Sequence, residues 1–248
     1  MADAFIRAVA LKRAEVPDFD LYPFSIPAIR QLSELALAPG VTLLAGENGS
    51  GKSTLVEAIA VALGFSPEGG SRNMSVSTRA SHSSLHEFLT VIRGTRSARS
   101  GFFLRAESFF NVATHIEQLD DAPGGPPITD AYGGVSLHEQ SHGESFLSLI
   151  RHRFGPNGLY ILDEPEAALS LRGNLALMRR MHDLEREGSQ FIIATHSPIL
   201  LGYPNARIYV LDEEGIAQAN YEDTEQYELT RSFLDDRERF LHYLFSDD

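Results

Sequence analysis

The sequence predicts an α/β fold in which helices flank a mixed sheet, and three features support this prediction. An apolar run at residues 41–45 is followed directly by a glycine-rich loop and by a helical pattern of apolar residues. In the second half of the chain, short apolar runs alternate with amphipathic stretches, as crossover helices between parallel strands require. The length of 248 residues suits one larger α/β domain. We therefore expect residues 1–248 to form a single domain, with an inserted helical arm over about residues 65–150.

The predicted elements begin with an N-terminal β portion. It contains strands at residues 5–11 and 35–37, and the proline-containing stretch 19–29 between them should be extended and irregular. The later elements are, in order, a strand at 41–45, a helix ending at Gly64, a short helix at 85–92, a strand at 101–104, a helix from Ser145 to the turn at 155–158, a strand at 159–162, a helix from 171 closed by Gly188, strands at 191–195 and 207–211, and a final amphipathic helix at 227–244.

Composition excludes several classes of protein. The chain has no cysteine, so disulfides and thiolate metal sites are ruled out. No run approaches the roughly 18 apolar residues of a membrane span, and the N-terminus lacks a basic-then-apolar signal, so we expect a cytoplasmic protein with no membrane insertion of its own. A formal net charge of −13 argues against a surface that binds nucleic acid all over. The charge is uneven, however: residues 71–105 contain six arginines and one acid, whereas residues 212–248 contain twelve acids and three arginines.

The glycine-rich loop carries the clearest chemistry. Residues 46–54 read GENGSGKST and satisfy the phosphate-loop pattern G-x-x-x-x-G-K-[ST]. Glycine allows the tight turn that makes backbone N–H groups converge on phosphate oxygens, and the N-terminus of the next helix adds positive potential. A glycine-rich turn by accident is disfavoured, because strand, loop, Lys-Ser pair and helix are all in register. The residues predicted to hold a nucleoside triphosphate are Asn48, Gly49, Ser50, Gly51, Lys52, Ser53 and Thr54.

Within this loop, two side chains have specific expected roles. Lys52, at the surface of the loop, should reach the β- and γ-phosphates, and the Ser53 hydroxyl should hold Mg²⁺. The apolar run 159–162 ends in Asp163 and Glu164, so it can deliver a second metal ligand, Asp163, to the same edge of the sheet. Glu164 is then placed to polarise a water for attack on the γ-phosphate. The alternative is a strand that ends in a solvated acidic turn.

These motifs together resemble the ATP-binding-cassette (ABC) type of P-loop ATPase. The resemblance runs from the strand containing Leu43 to the strand containing Leu211. It implies ATP and Mg²⁺ as cofactors and a homodimer that sandwiches two nucleotides. Residues 191–197 resemble the switch-histidine strand of that family, which implies that His196 contacts the γ-phosphate and holds the attacking water with Glu164. A serine-hydrolase reading of His196 and Ser197 fails, since neighbouring residues cannot form the required geometry.

The segment 140–144, QSHGE, occupies the place of the family's signature, usually LSGGQ. Ser141 and Gly143 match that pattern, which implies that they contact ATP held by the other subunit. The altered form with glutamate resembles the chromosome-maintenance and repair branch more than the transporters. Residues 138–142 also match the zinc-protease pattern H-E-x-x-H. That reading is disfavoured because Gly133 and Gly134 lie just upstream and helical spacing starts only after Gly143.

Three further family positions are altered or open. No glutamine follows a suitable strand before the signature, and Glu107 is the best substitute as a Mg²⁺ contact; the alternative is a surface acid paired with Arg105. Ser170 stands where the family has the aspartate of a loop that touches the opposite subunit. Adenine stacking usually falls to an aromatic residue before the phosphate loop, here Tyr22 or Phe24, against ordinary packing.

What the ATPase cycle drives is open at this level. The arm from Arg72 to Arg105 suits nucleic-acid phosphates or an acidic protein partner, although scattered arginines more often form a solvated face. One hypothesis is a stand-alone ATPase switch acting on nucleic acid or in a repair or defence complex. The other is the ATP-binding motor subunit of a membrane transporter.

Overall fold

A computed structural model of the chain describes residues 3–72, 83–107, 109 and 142–246. Its larger sheet, formed within these ranges, has the order β10-β9-β3-β8-β7-β6-β4. The five central strands run parallel, while β10 and β4 pair antiparallel at the two edges. The strands are β3 (Val41–Gly46), β4 (Gly70–Ser71), β6 (Ser100–Arg105), β7 (Gly158–Asp163), β8 (Gln190–Ala194), β9 (Arg207–Asp212) and β10 (Gly215–Ala219). The predicted mixed sheet is therefore confirmed.

A smaller antiparallel sheet forms the N-terminal β portion, in the order β2-β1-β5. Its strands are β1 (Ile6–Leu11), β2 (Glu34–Ala36) and β5 (Leu89–Arg93). The helix predicted at residues 85–92 is wrong: Ser84–Phe88 form a 3-10 turn, and the chain then enters β5. Val91 pairs with Val9 there. The β-branched residues of β5 gain a partner strand about 80 residues away, which local helical spacing does not reveal.

Helices cover both faces of the larger sheet. They are α1 (Pro27–Gln31), α2 (Lys52–Ala62), α3 (His142–Arg153), α4 (Leu171–Arg186), α5 (Pro198–Leu201), α6 (Glu225–Asp235) and α7 (Arg237–Leu244). Two predictions are corrected. The stretch 19–29, expected to be irregular, turns into α1 at Pro27, where proline fits the first helical position. The single final helix is two helices, because Asp236 leaves helical geometry (φ −149°, ψ 80°) and accepts a hydrogen bond from the Arg239 N–H at 3.0 Å.

Alternate residues of the central strands enter two different hydrophobic clusters. On β3, Leu43 packs with the side of α3 and α4, whereas Leu44 packs with α2 and the small sheet. On β7, Tyr160 and Ile161 divide in the same way. Apolar side chains on both faces explain why these strands read as continuous apolar runs rather than as an alternating pattern. Within the described residues, no helix is long and apolar enough to cross a membrane.

The parallel arrangement brings the carboxyl ends of β3, β6, β7 and β8 to one edge of the sheet. In the registers of the ladders, Arg105 on β6 lies beside Asp163 on β7, and Asp163 lies beside Ala194 on β8. The phosphate loop leaves β3 at this same edge. Ligands of open α/β sheets bind at such edges, so the topology alone places the predicted motifs together.

Candidate nucleotide site

The phosphate loop has a backbone that only glycine accommodates at two positions. Gly46 and Gly51 have φ of 143° and 99°. A Cβ atom at Gly46 would lie 2.3 Å from the Leu211 carbonyl oxygen, and one at Gly51 would lie 2.8 Å from Cγ2 of Ile26. The loop is thus wedged between β9 and the segment that leads into α1. Its close fit and the start of α2 at Lys52 give the geometry that a phosphate cradle needs.

Lys52 is buried rather than at the surface of the loop, with 3% of its surface exposed. Its Nζ donates hydrogen bonds of 2.8 Å to the carbonyl oxygens of Gly46 and Glu47. Burial lowers the pKa of Lys52, while the nearby carboxylates of Glu164 and Asp163 raise it. Lys52 is thus held against the loop by two carbonyl groups, with several carboxylates nearby.

Asp163 ends β7 with 5% of its side chain exposed. Burial raises its pKa to about 6, opposed by the Arg105 guanidinium and by a hydrogen bond with Ser53. Its Oδ1 is buried and has no hydrogen-bond partner among the described residues, and Ser50 Oγ in the loop is in the same situation. A carboxylate that has one unpartnered oxygen and contacts the Ser53 hydroxyl fits Mg²⁺, which takes oxygen ligands and binds through one or two protein groups plus substrate phosphates.

Arg105 joins three carboxylates at this corner of the site. Its Nη1 pairs with Glu57 on α2, its Nε lies 3.3 Å from Oδ2 of Asp163, and its Nη2 lies 3.7 Å from Glu107. The Glu107 side chain is 89% exposed. The pairing of Glu107 with Arg105 is thus observed, whereas its contact with Mg²⁺ stays a prediction. A cavity of about 550 Å³ is lined by Ser53, Ala106, Glu107, Phe109, Asp163, Glu164, Ala167 and Ala168.

Glu164 has the left-handed backbone conformation, φ 48° and ψ 52°. This conformation costs a non-glycine residue roughly 1–2 kcal/mol. The strain is held in place because the Glu164 N–H donates to the Ala194 carbonyl at 2.9 Å and because Pro165 opens a 3-10 turn directly after it. Strained residues of this kind cluster at functional sites. The Glu164 side chain lines the cavity next to Asp163.

His196 follows the end of β8 and is 48% exposed at its side chain. Its Nδ1 lies 3.4 Å from Oε1 of Glu166, a carboxylate that is only 7% exposed. Glu166 also binds the main chain around His196. His196 is therefore linked, through Glu166, to the turn that directly follows Asp163 and Glu164.

The signature region lies partly outside the described residues. Ser141 is outside them, as are residues 138–140 of the H-E-x-x-H pattern. Gly143 is within α3, and a Cβ atom there would lie 3.2 Å from the Ala168 carbonyl oxygen, so α3 packs closely on the 3-10 turn after Glu164. Ser170 accepts a hydrogen bond from the Gly173 N–H at 3.2 Å and caps α4. Its hydroxyl therefore has a structural use.

The two aromatic candidates for adenine stacking differ in exposure. Phe24 is 3% exposed and packs edge-to-face on Phe88 with ring centroids 5.0 Å apart, which assigns it to the core. Tyr22 is 67% exposed and lies four residues before Ile26, whose side chain touches the phosphate loop. Tyr22 alone of the two can meet a ligand.

The arginines of the arm differ in how far their side chains are engaged within the chain. Arg105 belongs to the site, and Arg96 donates to Asn157 Oδ1 at 2.6 Å and stacks on Phe5 with Cζ 5.0 Å from the ring centroid. Arg93 and Arg99 are exposed. Arg72 stacks over Phe65 at 5.1 Å, and Arg79 lies outside the described residues. The charge seen in the sequence is thus only partly available to a partner.

Sequence reasoning missed three groups that build the site: Glu57, the central role of Arg105, and Glu166. The spacing of Glu57 after Lys52 gave no signal, because its partner arrives from another strand. The sequence did contain a signal for Glu166. A charged residue directly after Asp-Glu-Pro lies where the chain turns back towards the sheet, so its side chain can contact the next strand end.

Comparisons with known proteins give one family and several relatives. A family described as an AAA domain matches residues 24–111, which include the phosphate loop. An ABC transporter G family member, STR2 of Medicago truncatula, is 30% identical over 176 residues, which cover 64% of this chain and 24% of that protein. This chain thus spans about a quarter of that relative. An uncharacterized ABC transporter ATP-binding protein of Haemophilus influenzae is 24% identical over 197 residues, covering 70% of each.

Among solved structures, an ABC transporter in an inward-facing conformation matches with a TM-score of 0.51 and 17% identity. The match covers 94% of this chain and 90% of that one. At this identity the likeness shows the fold, a mixed sheet flanked by helices around a phosphate loop.

Proposed function

Because the chain is related in sequence to the ABC-type P-loop ATPases and has their fold, we propose that it binds ATP with Mg²⁺ and hydrolyses it to ADP and phosphate. One observation carries this proposal: the phosphate loop, the buried Asp163 and the strained Glu164 meet at one edge of the sheet, around a cavity of about 550 Å³. Cradle, metal ligand and base are the parts that phosphoryl transfer to water requires.

The proposed roles follow from position. Residues 48–54 hold the phosphates, and Lys52 supplies the positive charge that pairs with them. Tyr22 stacks on the adenine ring. Ser53 and Asp163 hold Mg²⁺, which supplies neutralisation of the phosphate charge. Glu107, which lines the same cavity, is the further carboxylate that we propose as a Mg²⁺ contact. Glu164 orients the attacking water and accepts its proton. His196 contacts the γ-phosphate from the end of β8.

We further propose that two copies sandwich two nucleotides and that hydrolysis releases them, so that the protein is an ATP-driven switch. Ser141 and Gly143 of one copy would complete the site of the other. Within one copy, Gly143 packs closely on the turn after Glu164, so the signature helix is attached to the catalytic segment of its own chain.

The substitution Glu164→Gln tests the proposed function. A positioned base adds little to ground-state binding, so this variant should retain ATP affinity and lose roughly 10²- to 10⁴-fold in kcat. It should also accumulate as an ATP-dependent dimer in size-exclusion chromatography with light scattering. Asp163→Asn should instead lose the Mg²⁺ dependence of binding and form no such dimer.

The matched control is Glu187→Gln, the same chemical change at an exposed position near the end of α4. It should leave turnover and oligomeric state as in the parent protein. A parent protein without Mg²⁺-dependent hydrolysis, or a Glu164→Gln variant with parental turnover, would refute the assignment.

A second candidate is the ATP-binding motor subunit of a membrane transporter, because the relatives in sequence are described as ABC transporter proteins. The switch acting on nucleic acid rests instead on the exposed Arg93 and Arg99. One measurement distinguishes the two candidate functions: the stimulation of ATP hydrolysis by duplex DNA at increasing salt concentration. Binding through phosphates weakens with a log–log slope near −0.9 for each phosphate contacted. Replacing Arg93 and Arg99 should flatten that slope; absence of any DNA stimulation favours the transporter subunit.

A further inference from the structure

Glu166 is a buried carboxylate that the proposed chemistry does not use. It lies in the 3-10 turn Pro165–Ala168, two residues after Glu164, and its side chain is 7% exposed. Burying a carboxylate is costly unless its oxygens are bound. Glu107, by contrast, lies at the same site with 89% exposure. A charge kept this deep needs partners that explain it.

The hydrogen-bond partners of Glu166 are one hydroxyl and two main-chain N–H groups just after the end of β8. Oε1 accepts hydrogen bonds from Thr195 Oγ1 at 2.7 Å, from the His196 N–H at 2.7 Å and from the Ser197 N–H at 3.2 Å. Thr195 Oγ1 in turn accepts from the Ser197 N–H at 3.0 Å. One carboxylate oxygen thus fixes three consecutive residues, and His196 is the middle one.

The same oxygen faces the histidine ring. His196 Nδ1 lies 3.4 Å from Oε1, so the carboxylate favours the tautomer with the proton on Nδ1. That tautomer leaves Nε2 of the half-exposed ring unprotonated, so that it is a hydrogen-bond acceptor. Oε2 of Glu166 has no hydrogen-bond partner among the described residues. The charge nevertheless acts across the site, since Glu166 is one of the carboxylates that raise the pKa of Lys52.

The turn that carries Glu166 is itself tied to β8. The Glu164 N–H donates to the Ala194 carbonyl at 2.9 Å, and the Ala167 N–H donates to the Glu164 carbonyl at 3.0 Å. The proposed base and the histidine are therefore held at a fixed separation by two links: the backbone bond at Glu164 and the side chain of Glu166.

We propose that Glu166 is a positioning residue that sets the main chain and the imidazole tautomer of His196 relative to Glu164, so that the unprotonated Nε2 accepts a hydrogen bond from the attacking water that Glu164 also holds. This inference rests on the proposed ATPase function. It differs from a purely structural role, in which Glu166 would only join the end of β8 to the neighbouring turn, because it requires the carboxylate charge and acts through His196.

The experiment is a double-mutant cycle between Glu166→Gln and His196→Ala, with Glu187→Gln as control. Glutamine keeps an oxygen for the three main-chain and hydroxyl donors but loses the charge that faces Nδ1. We expect Glu166→Gln to retain the melting temperature and the KM for ATP within about twofold. Its kcat should fall roughly 10- to 100-fold, the effect of a small misplacement of a reacting group. In the double variant, Glu166→Gln should lower kcat no further than His196→Ala does alone.

Parental kcat in Glu166→Gln, or losses that multiply in the double variant, would overturn the inference while leaving the ATPase assignment intact. The absence of hydrolysis in the parent protein would instead refute the proposed function. A second measurement needs no variant to remain folded: ¹⁵N shifts of the histidine rings in the unmutated protein at pH 8, with His196 assigned by its loss in His196→Ala. A proton on Nδ1 of His196 is expected, and a proton on Nε2 would contradict the proposal.

Discussion

At the scale of single residues, the site stores free energy that a ligand can release. Asp163 is buried, its Oδ1 has no hydrogen-bond partner in the described part of the chain, and its pKa is raised to about 6 in spite of the nearby Arg105. Glu164 is held in a strained backbone conformation beside it. Both costs fall on the folded protein, and both are placed where a metal ion and a phosphate would offset them.

The raised pKa of Asp163 predicts a pH-dependent stability. Below its unfolded value of 3.8 the carboxyl is protonated in both states and contributes nothing. As pH rises towards 6, the unfolded chain ionises first, so the folded state loses relative stability, and above that range the penalty is constant. Asp163→Asn removes the penalty. Its gain in unfolding free energy over the parent should therefore grow by on the order of 1–2 kcal/mol between pH 4.5 and pH 8.

Urea denaturation of both proteins without Mg²⁺ measures this difference. Asp20→Asn is the control, because the Asp20 side chain is 79% exposed and its ion pair with Arg30 is at the surface. It should change stability little at any pH in the range. A gain for Asp163→Asn that shrinks as pH rises would contradict the assigned direction of the shift.

At the scale of elements, prediction from the sequence succeeded where the signal was local. The strands that begin at or next to residues 41, 159, 191 and 207 have apolar side chains on both faces. Gly64 and Gly188, which end two helices, have the positive φ that is common at helix ends. It failed at β5, whose pairing with β1 is a long-range contact. It also missed β10 and the break at Asp236, although Asp236 with a main-chain N–H three residues later is a capping pattern that a closer reading could have found.

The same limit applies to the site. The phosphate loop and the pair Asp163–Glu164 are local patterns, so their positions could be read directly. The ion pairs of Arg105 with Glu57 and Asp163 depend on the register of β6 and β7 and on the placement of α2. The contact of Glu166 with the three residues that follow β8 depends on the turn at Pro165. Neither register nor turn geometry is contained in residue spacing.

A buried amide contributes to the junction of the two sheets, which gives a prediction at the scale of elements. Gln190 on β8 is fully buried; its Oε1 accepts from the N–H groups of Phe5 and Ile6 at 3.0 Å, and its Nε2 donates to the carbonyl oxygens of Ile6 and Ala38 at 2.8 Å. Gln190→Leu leaves these four groups without the amide. At about 1–3 kcal/mol for each buried unpaired group, the loss should reach several kcal/mol.

Chemical denaturation followed by circular dichroism tests this prediction, with Gln218→Leu on the exposed edge strand β10 as the control. Gln218→Leu should be within about 0.5 kcal/mol of the parent, the usual range for surface changes. Equal effects of the two substitutions would show that the amide does not join the sheets.

At the scale of the whole molecule, the proposed sandwich requires the signature of one copy to act on the nucleotide of the other. Gly143 packs on the 3-10 turn after Glu164, and α3 runs from there into the cluster that contains Leu43. The signature helix is thus attached to the catalytic segment of its own chain. In the proposed sandwich its first residues act on ATP held by a second copy.

Complementation between two inactive variants tests that arrangement. Lys52→Ala removes the cation of the phosphate loop, and Ser141→Arg blocks the signature. Each homodimer then contains two defective composite sites, so neither variant should hydrolyse ATP. In a mixed dimer, one site combines the intact phosphate loop of the Ser141→Arg chain with the intact signature of the Lys52→Ala chain, while the other combines both defects. An equimolar mixture should therefore recover up to about a quarter of parental activity, since half of the dimers are mixed and each has one competent site.

Native mass spectrometry of differently tagged chains establishes that mixed dimers form. If they form and the mixture remains inactive at every ratio, Ser141 acts within its own chain and the composite site is wrong.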